Sequence, residues 1–300
     1  MSDFEIRPLA TLDDFHAAEE VQRAAWDSDD LDIAPLHIML TIARNGGVAL
    51  GAFAQDQLVG FVLGFLGTSQ RYGAEAPATV KLKHCSHMLG IIPEWQSRGV
   101  GYALKVAQRE AVLNQGVRLM TWTYDPLESK NARLNIAKLG AVCNTYIVDY
   151  YGELNDDLNR GLATDRFQVD WWIAVRRTET RLTRNRPPLK LQHYVEVGTP
   201  IVNAVQWDDR DLPVCPTPIE LPATDRFLVE FPANFQSIRR ADRELAVAWR
   251  LHLRSICQSA FASGYTVIDY VHEPVHESGP RARSFYIMQR LESSESNLST

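Results

Sequence analysis

The residues best suited to chemistry lie between 87 and 102. An apolar run, Leu89-Gly90-Ile91-Ile92, is closed by Pro93, and the next residues read Glu94-Trp95-Gln96-Ser97-Arg98-Gly99-Val100-Gly101-Tyr102. A helical pattern begins at about Gly101 and runs to Asn114. A strand, a glycine-bearing turn and a helix start in that order bring several backbone N–H groups to one point, and the helix N-terminus adds partial positive charge, so the turn is an anion site. Gly99 and Gly101 carry no Cβ to keep a phosphate oxygen from the main chain, and Arg98 offers countercharge. The turn is not a P-loop, because no Gly-Lys-Ser/Thr follows. It is not a dinucleotide fingerprint either, because the third glycine is missing and the strand does not open a βαβ unit.

Two side chains nearby could move a proton. His87 stands two residues before Leu89, which on a regular strand places both on one sheet face. An imidazole titrates near neutrality. The competing role for His87 is a structural histidine satisfied by its neighbours. Glu94 opens the turn and could act through water, or be simply a solvated loop residue. By the same alternation His84 belongs to the opposite face and reads as structural.

The elements that would position these groups can be read along the chain. Phe4–Arg7 reads as a strand. Thr11, with Asp14 three residues on, starts a helix, and a second helix begins near Pro35. Val48–Ala54 and Leu58–Leu66, split by Gln55-Asp56-Gln57, form a hairpin. Strands follow at 84–92 and 117–124, with the helix 101–114 between them, then a helix at 129–139 and strands at 141–151 and 166–175. The order β-α-α-β-β-β-α-β-α-β-β suits one mixed α/β sheet with helices on its faces. Residues 178–222, rich in proline and arginine, read as a linker or wrapping segment. Residues 223–300 read as an α+β extension of strand, long helix and two strands, ending in a polar tail. Ala163–Trp171 and Ala223–Phe231 share six of nine residues. This echo is either two strands with the same entry turn or the trace of a degenerate half-copy of the first domain.

In this setting the run Gln96-Ser97-Arg98-Gly99-Val100-Gly101 resembles the pyrophosphate-binding signature of the GNAT N-acetyltransferase superfamily, (Gln/Arg)-x-x-Gly-x-(Gly/Ala). Leu89-Gly90-Ile91 resembles the strand end whose backbone holds the pantetheine arm in that family, and Asn131 with Lys138-Leu139-Gly140 resembles its next motif. The likeness extends over residues 1 to about 175. The stretch from Tyr124 to Trp171 resembles a bacterial subgroup of long GNAT proteins, some described as amino-acid N-succinyltransferases.

The resemblance implies a GNAT-like catalytic domain over residues 1–177. It implies an acyl-CoA donor (acetyl-CoA, with succinyl-CoA as the other candidate) held by Leu89, Gly90, Ile91, Gln96, Ser97, Arg98, Gly99, Val100, Gly101, Tyr102 and Asn131. It further implies direct transfer to a small amine or amino acid, a homodimer as one assembly, and His87 as the base, with Glu94 in reserve. The family's usual acid is a tyrosine, and Ile136 stands in its place here. Tyr146, Tyr150, Tyr151 and Tyr102 are the substitutes at hand. Asp27, Asp29, Asp30 and Asp32 fall in the loop that caps the acceptor site in the family, where they could attract a cationic amine or be simply a solvated acidic loop. Arg160 and Arg166 could hold a carboxylate or make ordinary ion pairs. The alternative function is a non-catalytic acyl-CoA sensor or assembly module.

The bulk composition narrows the field. The chain has 300 residues, 45% hydrophobic and 23% charged, with a net charge of −6. That excludes a general basic field for nucleic acid or anionic membrane. Cys85, Cys143, Cys215 and Cys257 form no CxxC pair and no zinc-ligand spacing, so no metal is expected, and four reduced thiols suit a cytoplasmic setting. MSDFEIRPLA carries no signal pattern, and the most apolar run, Leu58–Leu66, is too short to span a bilayer.

Overall fold

The computed structural model describes residues 3–26, 33–69, 71–73, 75–152, 162–183, 189–216, 220–275 and 281–291. The acidic positions Asp27, Asp29, Asp30 and Asp32, Arg160 and the polar tail from residue 292 lie outside these ranges. The chain divides into two compact units, one ending at Trp122 and the other beginning at Thr123. The sequence reading put its boundary at residue 177 instead.

The first unit runs β1 (Glu5–Pro8), α1 (Leu12–Trp26), α2 (Leu36–Arg44), β2 (Val48–Ala54), β3 (Gln57–Thr68), a single turn α3 (Ala78–Lys81), β4 (Leu82–Ile91), α4 (Val100–Asn114) and the first four residues of β5 (Leu119–Tyr124). Strands β1 to β4 are antiparallel neighbours, and β4 pairs in parallel with β5. It is a mixed α/β sheet with helices. The start of α1 is a reciprocal cap. The Asp14 N–H donates to Thr11 Oγ1 (3.1 Å) and the Thr11 N–H donates to Asp14 Oδ2 (3.0 Å), two orphan helix donors satisfied at once. The β2–β3 hairpin closes through Gln55 (φ 49°) and Asp56 (φ 65°), the double left-handed turn that matches strand twist.

One face of this sheet buries Phe15, Ala18 and Val21 of α1 and Met39 of α2 against Phe53, Phe61 and Leu63. Helix α4 buries Val100, Leu104, Lys105, Gln108 and Val112, and Val100 and Gln108 lie against the β3 backbone at Gly60 and Gly64.

The second unit holds α5 (Ser129–Ala132), which widens into a π-turn over Arg133–Lys138, then β6 (Val142–Ile147), β7 (Arg166–Trp172), α6 (Arg176–Leu182), α7 (Leu191–Glu196) and a small hairpin, β8 (Gln206–Trp207) with β9 (Pro213–Val214). After it come β10 (Arg226–Pro232), α8 (Phe235–Ala241), α9 (Arg243–Ala262), β11 (Tyr265–Glu273) and β12 (Arg283–Arg290). Its sheet has the order β7-β6-β11-β12-β10, every neighbour antiparallel.

Residues 178–222 therefore carry two short helices and a hairpin. The expected single long helix is two helices, because Asp242 leaves the helical region (φ −156°) and caps α9 by accepting from the Leu245 N–H at 2.9 Å. The first four strands of the sheet, β7-β6-β11-β12, are palindromic. A helix–strand–strand set (α5, β6, β7) meets a second one (α9, β11, β12), with β6 and β11 side by side at Cys143 and Val267. In that arrangement β7 corresponds to β12, whereas the sequence echo matches β7 with β10. The echo also differs in setting, since Asp165 is buried and Asp225 is exposed.

Candidate functional site

The turn after β4 is built for a glycine. The chain leaves the sheet at Ile92, makes a single 3₁₀ turn over Pro93–Trp95, passes Ser97 at φ 62° and reaches Gly99 at φ 89°, the residue that caps α4. A Cβ at Gly99 would meet no atom within 4 Å, so glycine is required there by backbone conformation. No side chain caps this helix end, and Ala103 N–H to Gly99 O (3.0 Å) closes its first turn. The leading amides at Val100 and Gly101 thus have no intrahelical acceptor. Gln96, Ser97, Arg98 and Gly99 are exposed. Gln96 Nε2 donates to the Ile91 carbonyl at 3.2 Å, which holds the turn against the strand end. The Arg98 guanidinium lies 5.1 Å from the Trp95 ring centre. Glu94 is exposed and Tyr102 half-buried.

His87 sits on a β-bulge. Leu63 pairs with Met88 and Gly64 with Ser86, so His87 is the extra residue. A bulge resets strand alternation, and this corrects the one-face reading of His87 and Leu89. Met88 packs in the α1/α2 core, which by alternation turns Leu89 to the opposite face. The His87 ring lies 5.9 Å from Phe65; the residue keeps an exposed surface, while partial desolvation by the atoms packed around the ring lowers its pKa. It does not face the hydrophobic core.

A buried polar chain, absent from the sequence reading, runs between α4 and β4. Lys105 Nζ donates to Ser86 Oγ at 2.6 Å, Ser86 Oγ donates to Gln108 Oε1 at 2.7 Å, and Gln108 Nε2 stands 3.2 Å from His84 Nε2. Lys105 is 3% exposed and His84 0%. The Lys105 ammonium also lies 3.7 Å from the centre of the Trp122 ring. Burial lowers the Lys105 pKa to about 7 and the His84 pKa to about 4, with the Lys105 charge adding to the latter. Lys105 and Gln108 interrupt the apolar stripe of α4, and that interruption was the available signal.

In the second unit, Asn131 is exposed on α5 and Ile136 is fully buried. Tyr146 is engaged, its hydroxyl donating to Asp165 at 2.6 Å. Tyr150 and Tyr151 are exposed. Arg166 lies 3.8 Å from Asp125, which Arg250 grips through both guanidinium nitrogens at 2.7 and 2.5 Å. Among the described residues no group of three or more histidine, cysteine, aspartate or glutamate side chains could hold a metal ion, and no helix is long and apolar enough to cross a membrane.

No family model and no curated protein matches this chain. Solved structures do resemble it. An N-acetyltransferase from Staphylococcus aureus Mu50 is 13% identical, with 57% of this chain and 98% of that one covered at a TM-score of 0.45. The ribosomal-protein-S18-alanine N-acetyltransferase from Escherichia coli is 14% identical, with 57% and 95% covered at 0.44. Arabidopsis thaliana NAA60, in complex with acetyl-CoA, is 15% identical, with 56% and 99% covered at 0.44. At these identities and scores the likeness says nothing of chemistry in this chain.

Proposed function

We propose that this chain is an acyl-CoA-dependent N-acyltransferase of the GNAT type. The observation that carries the reading is the uncapped start of α4, set by a left-handed Gly99 directly after β4, in a stretch that matches the signature glycine for glycine. Such a helix end suits a pyrophosphate, with Arg98 beside it. The donor supplies an activated acyl thioester. The β4 backbone at Leu89–Ile91 aligns the arm, and an N–H there polarises the carbonyl. His87, raised on its bulge, takes the proton of the incoming ammonium. A C–N bond forms as the C–S bond breaks, and the thiolate leaves with a proton from solvent. Much of the acceleration is positioning. The acceptor in this reading is a small amine, amino acids included, and the acyl group acetyl or succinyl.

The buried Ile136 in place of a tyrosine, and the engagement of Tyr146 by Asp165, favour a second reading, a non-catalytic acyl-CoA sensor. Free-thiol release from acetyl-CoA and succinyl-CoA with a panel of amino acids and polyamines separates the two. Turnover supports the transferase, and binding without turnover supports the sensor.

A further inference from the structure

The buried chain of Lys105, Ser86, Gln108 and His84 has a surplus of donors. Ser86 gives its proton to Gln108 Oε1, so the Gln108 amide nitrogen donates to His84 Nε2. A neutral imidazole that accepts at Nε2 carries its proton on Nδ1. His84 Nδ1 is buried and has no hydrogen-bond partner. At the other end, the Lys105 ammonium has one hydrogen bond, to Ser86, one ring contact, with Trp122, and no ion pair among the described residues. A buried ammonium without an anion is costly. A chain of donors ending in an uncompensated cation fits an acceptor, and a carboxylate best of all.

Its location says whose carboxylate. Strands β4 and β5 pair at His84–Met120 and Cys85–Thr121 and no further. The next residue on each strand is Ser86 and Trp122, the two groups that touch Lys105 Nζ. The ammonium therefore stands where the ladder between the strands ends. In the proposed function the donor's arm runs along β4 at Leu89–Ile91. Ser86 lies two to three residues from Met88–Leu89, roughly 7–10 Å along a strand, the reach of a short acyl chain ending in a carboxylate together with its hydrogen bond.

We propose that Lys105, assisted by Ser86, receives the far end of the donor's acyl chain and selects acyl groups that end in a carboxylate over acetyl. This inference rests on the acyltransferase reading and sharpens it to a class of donor. Burial lowers the pKa of Lys105 against an opposing pull from the Cys85 thiol, which agrees with an ammonium that has no carboxylate beside it.

The test measures kcat/KM for acetyl-, butyryl-, succinyl- and glutaryl-CoA with the parent chain, Lys105→Met and Ser86→Ala, and the affinity of the parent for free CoA. A charge-assisted contact predicts that the parent favours succinyl or glutaryl over acetyl or butyryl by about 10–100-fold. Lys105→Met brings that ratio close to one, and Ser86→Ala lowers it in part. A parent that treats the donors alike or favours acetyl overturns the inference, as does a Lys105→Met chain that keeps the preference. Should Lys105→Met fail to fold, the parent ratio and the Ser86→Ala ratio decide. A parent that binds free CoA but does not discriminate refutes this inference alone. A parent that binds no CoA refutes the acyltransferase reading, and this inference falls with it.

Discussion

Lys105 shows how one side chain can be costly to the fold and useful to the site. Its folded pKa, about 7, lies below the unfolded value of 10.5 because burial disfavours the charged form. The unfolded chain therefore binds more protons between about pH 7 and 10.5, and stability on this group's account rises with pH through that window. Replacing buried ionised groups by apolar side chains of similar volume is commonly neutral or stabilising by up to about 4 kcal/mol, and a buried ammonium with no ion pair has only its desolvation cost to lose. Lys105→Met is thus expected to melt higher than the parent at pH 7, with the gap closing toward pH 10, in thermal unfolding followed by circular dichroism at both values. A gap of opposite sign at pH 7 would mean that the ammonium already has an anion.

His87 gives a kinetic prediction at the same scale. His87→Ala is expected to lower turnover at pH 7 by about 10²–10⁴, as general-base assistance commonly does. Donor affinity should hold, since the donor is gripped by the α4 turn and the β4 backbone. The deficit shrinks at high pH, where the amine is already free. A pH–rate profile of the variant that runs parallel to the parent's would remove His87 from the mechanism.

At the scale of elements, the N-terminal segments follow their residue patterns closely. The cap at Thr11 and Asp14, the hairpin at 55–57 and the helix after Pro35 all rest on local chemistry that a sequence displays. Thr11→Ala removes one half of a reciprocal cap and should cost about 1 kcal/mol in denaturant unfolding. Asp14 is held below the usual carboxylate range by its hydrogen bonds with Arg7 and the backbone amides of Thr11 and Ala10. Its contribution is present above pH 4 and is lost as the medium becomes more acid.

What the residues did not display is register. The bulge at His87 adds no turn residue and changes no composition, yet it moves Leu89 to the other face. The polar chain was hidden for a related reason. Lys105 and Gln108 are ordinary helix formers, so their place in the apolar stripe of α4 is the one trace of it in the sequence, and packing shows that they point inward. Gly64 belongs to the same packing, since a Cβ there would stand 2.2 Å from His84 Nε2. The helices at 176–182 and 191–196 escaped because an arginine- and proline-rich stretch has no clear period.

At the scale of the molecule, residues beyond 177 are part of the second unit's frame. Arg177 donates to the Gly140 carbonyl at 2.9 Å and Arg181 to Ala137 at 3.2 Å. Tyr286 donates to Pro126 at 2.7 Å, Ser129 bonds to both Tyr270 and Ser284, and Arg250 pairs with Asp125. The segment from Asp125 to Gly140, which contains Asn131, is thus held by the extension. The second helix–strand–strand set covers the edge of β6 that would otherwise be open to another chain. Arg250→Ala leaves the Asp125 carboxylate buried without its bidentate partner and is expected to cost about 3–5 kcal/mol, read as a lower denaturant midpoint. The size of that loss tests whether the extension is structural, because a loosely attached appendage would give almost none.

The central claim, that the start of α4 holds the pyrophosphate of an acyl-CoA, is tested most directly by calorimetric titration of free CoA into the parent and into Gly99→Glu. Glutamate at a left-handed, exposed N-cap puts strain and a negative charge in front of the Val100 and Gly101 amides. The account predicts binding to the parent and an affinity at least about tenfold weaker in the variant, with a folded circular-dichroism spectrum in both. Equal affinity in the two chains, or none in the parent, would contradict it.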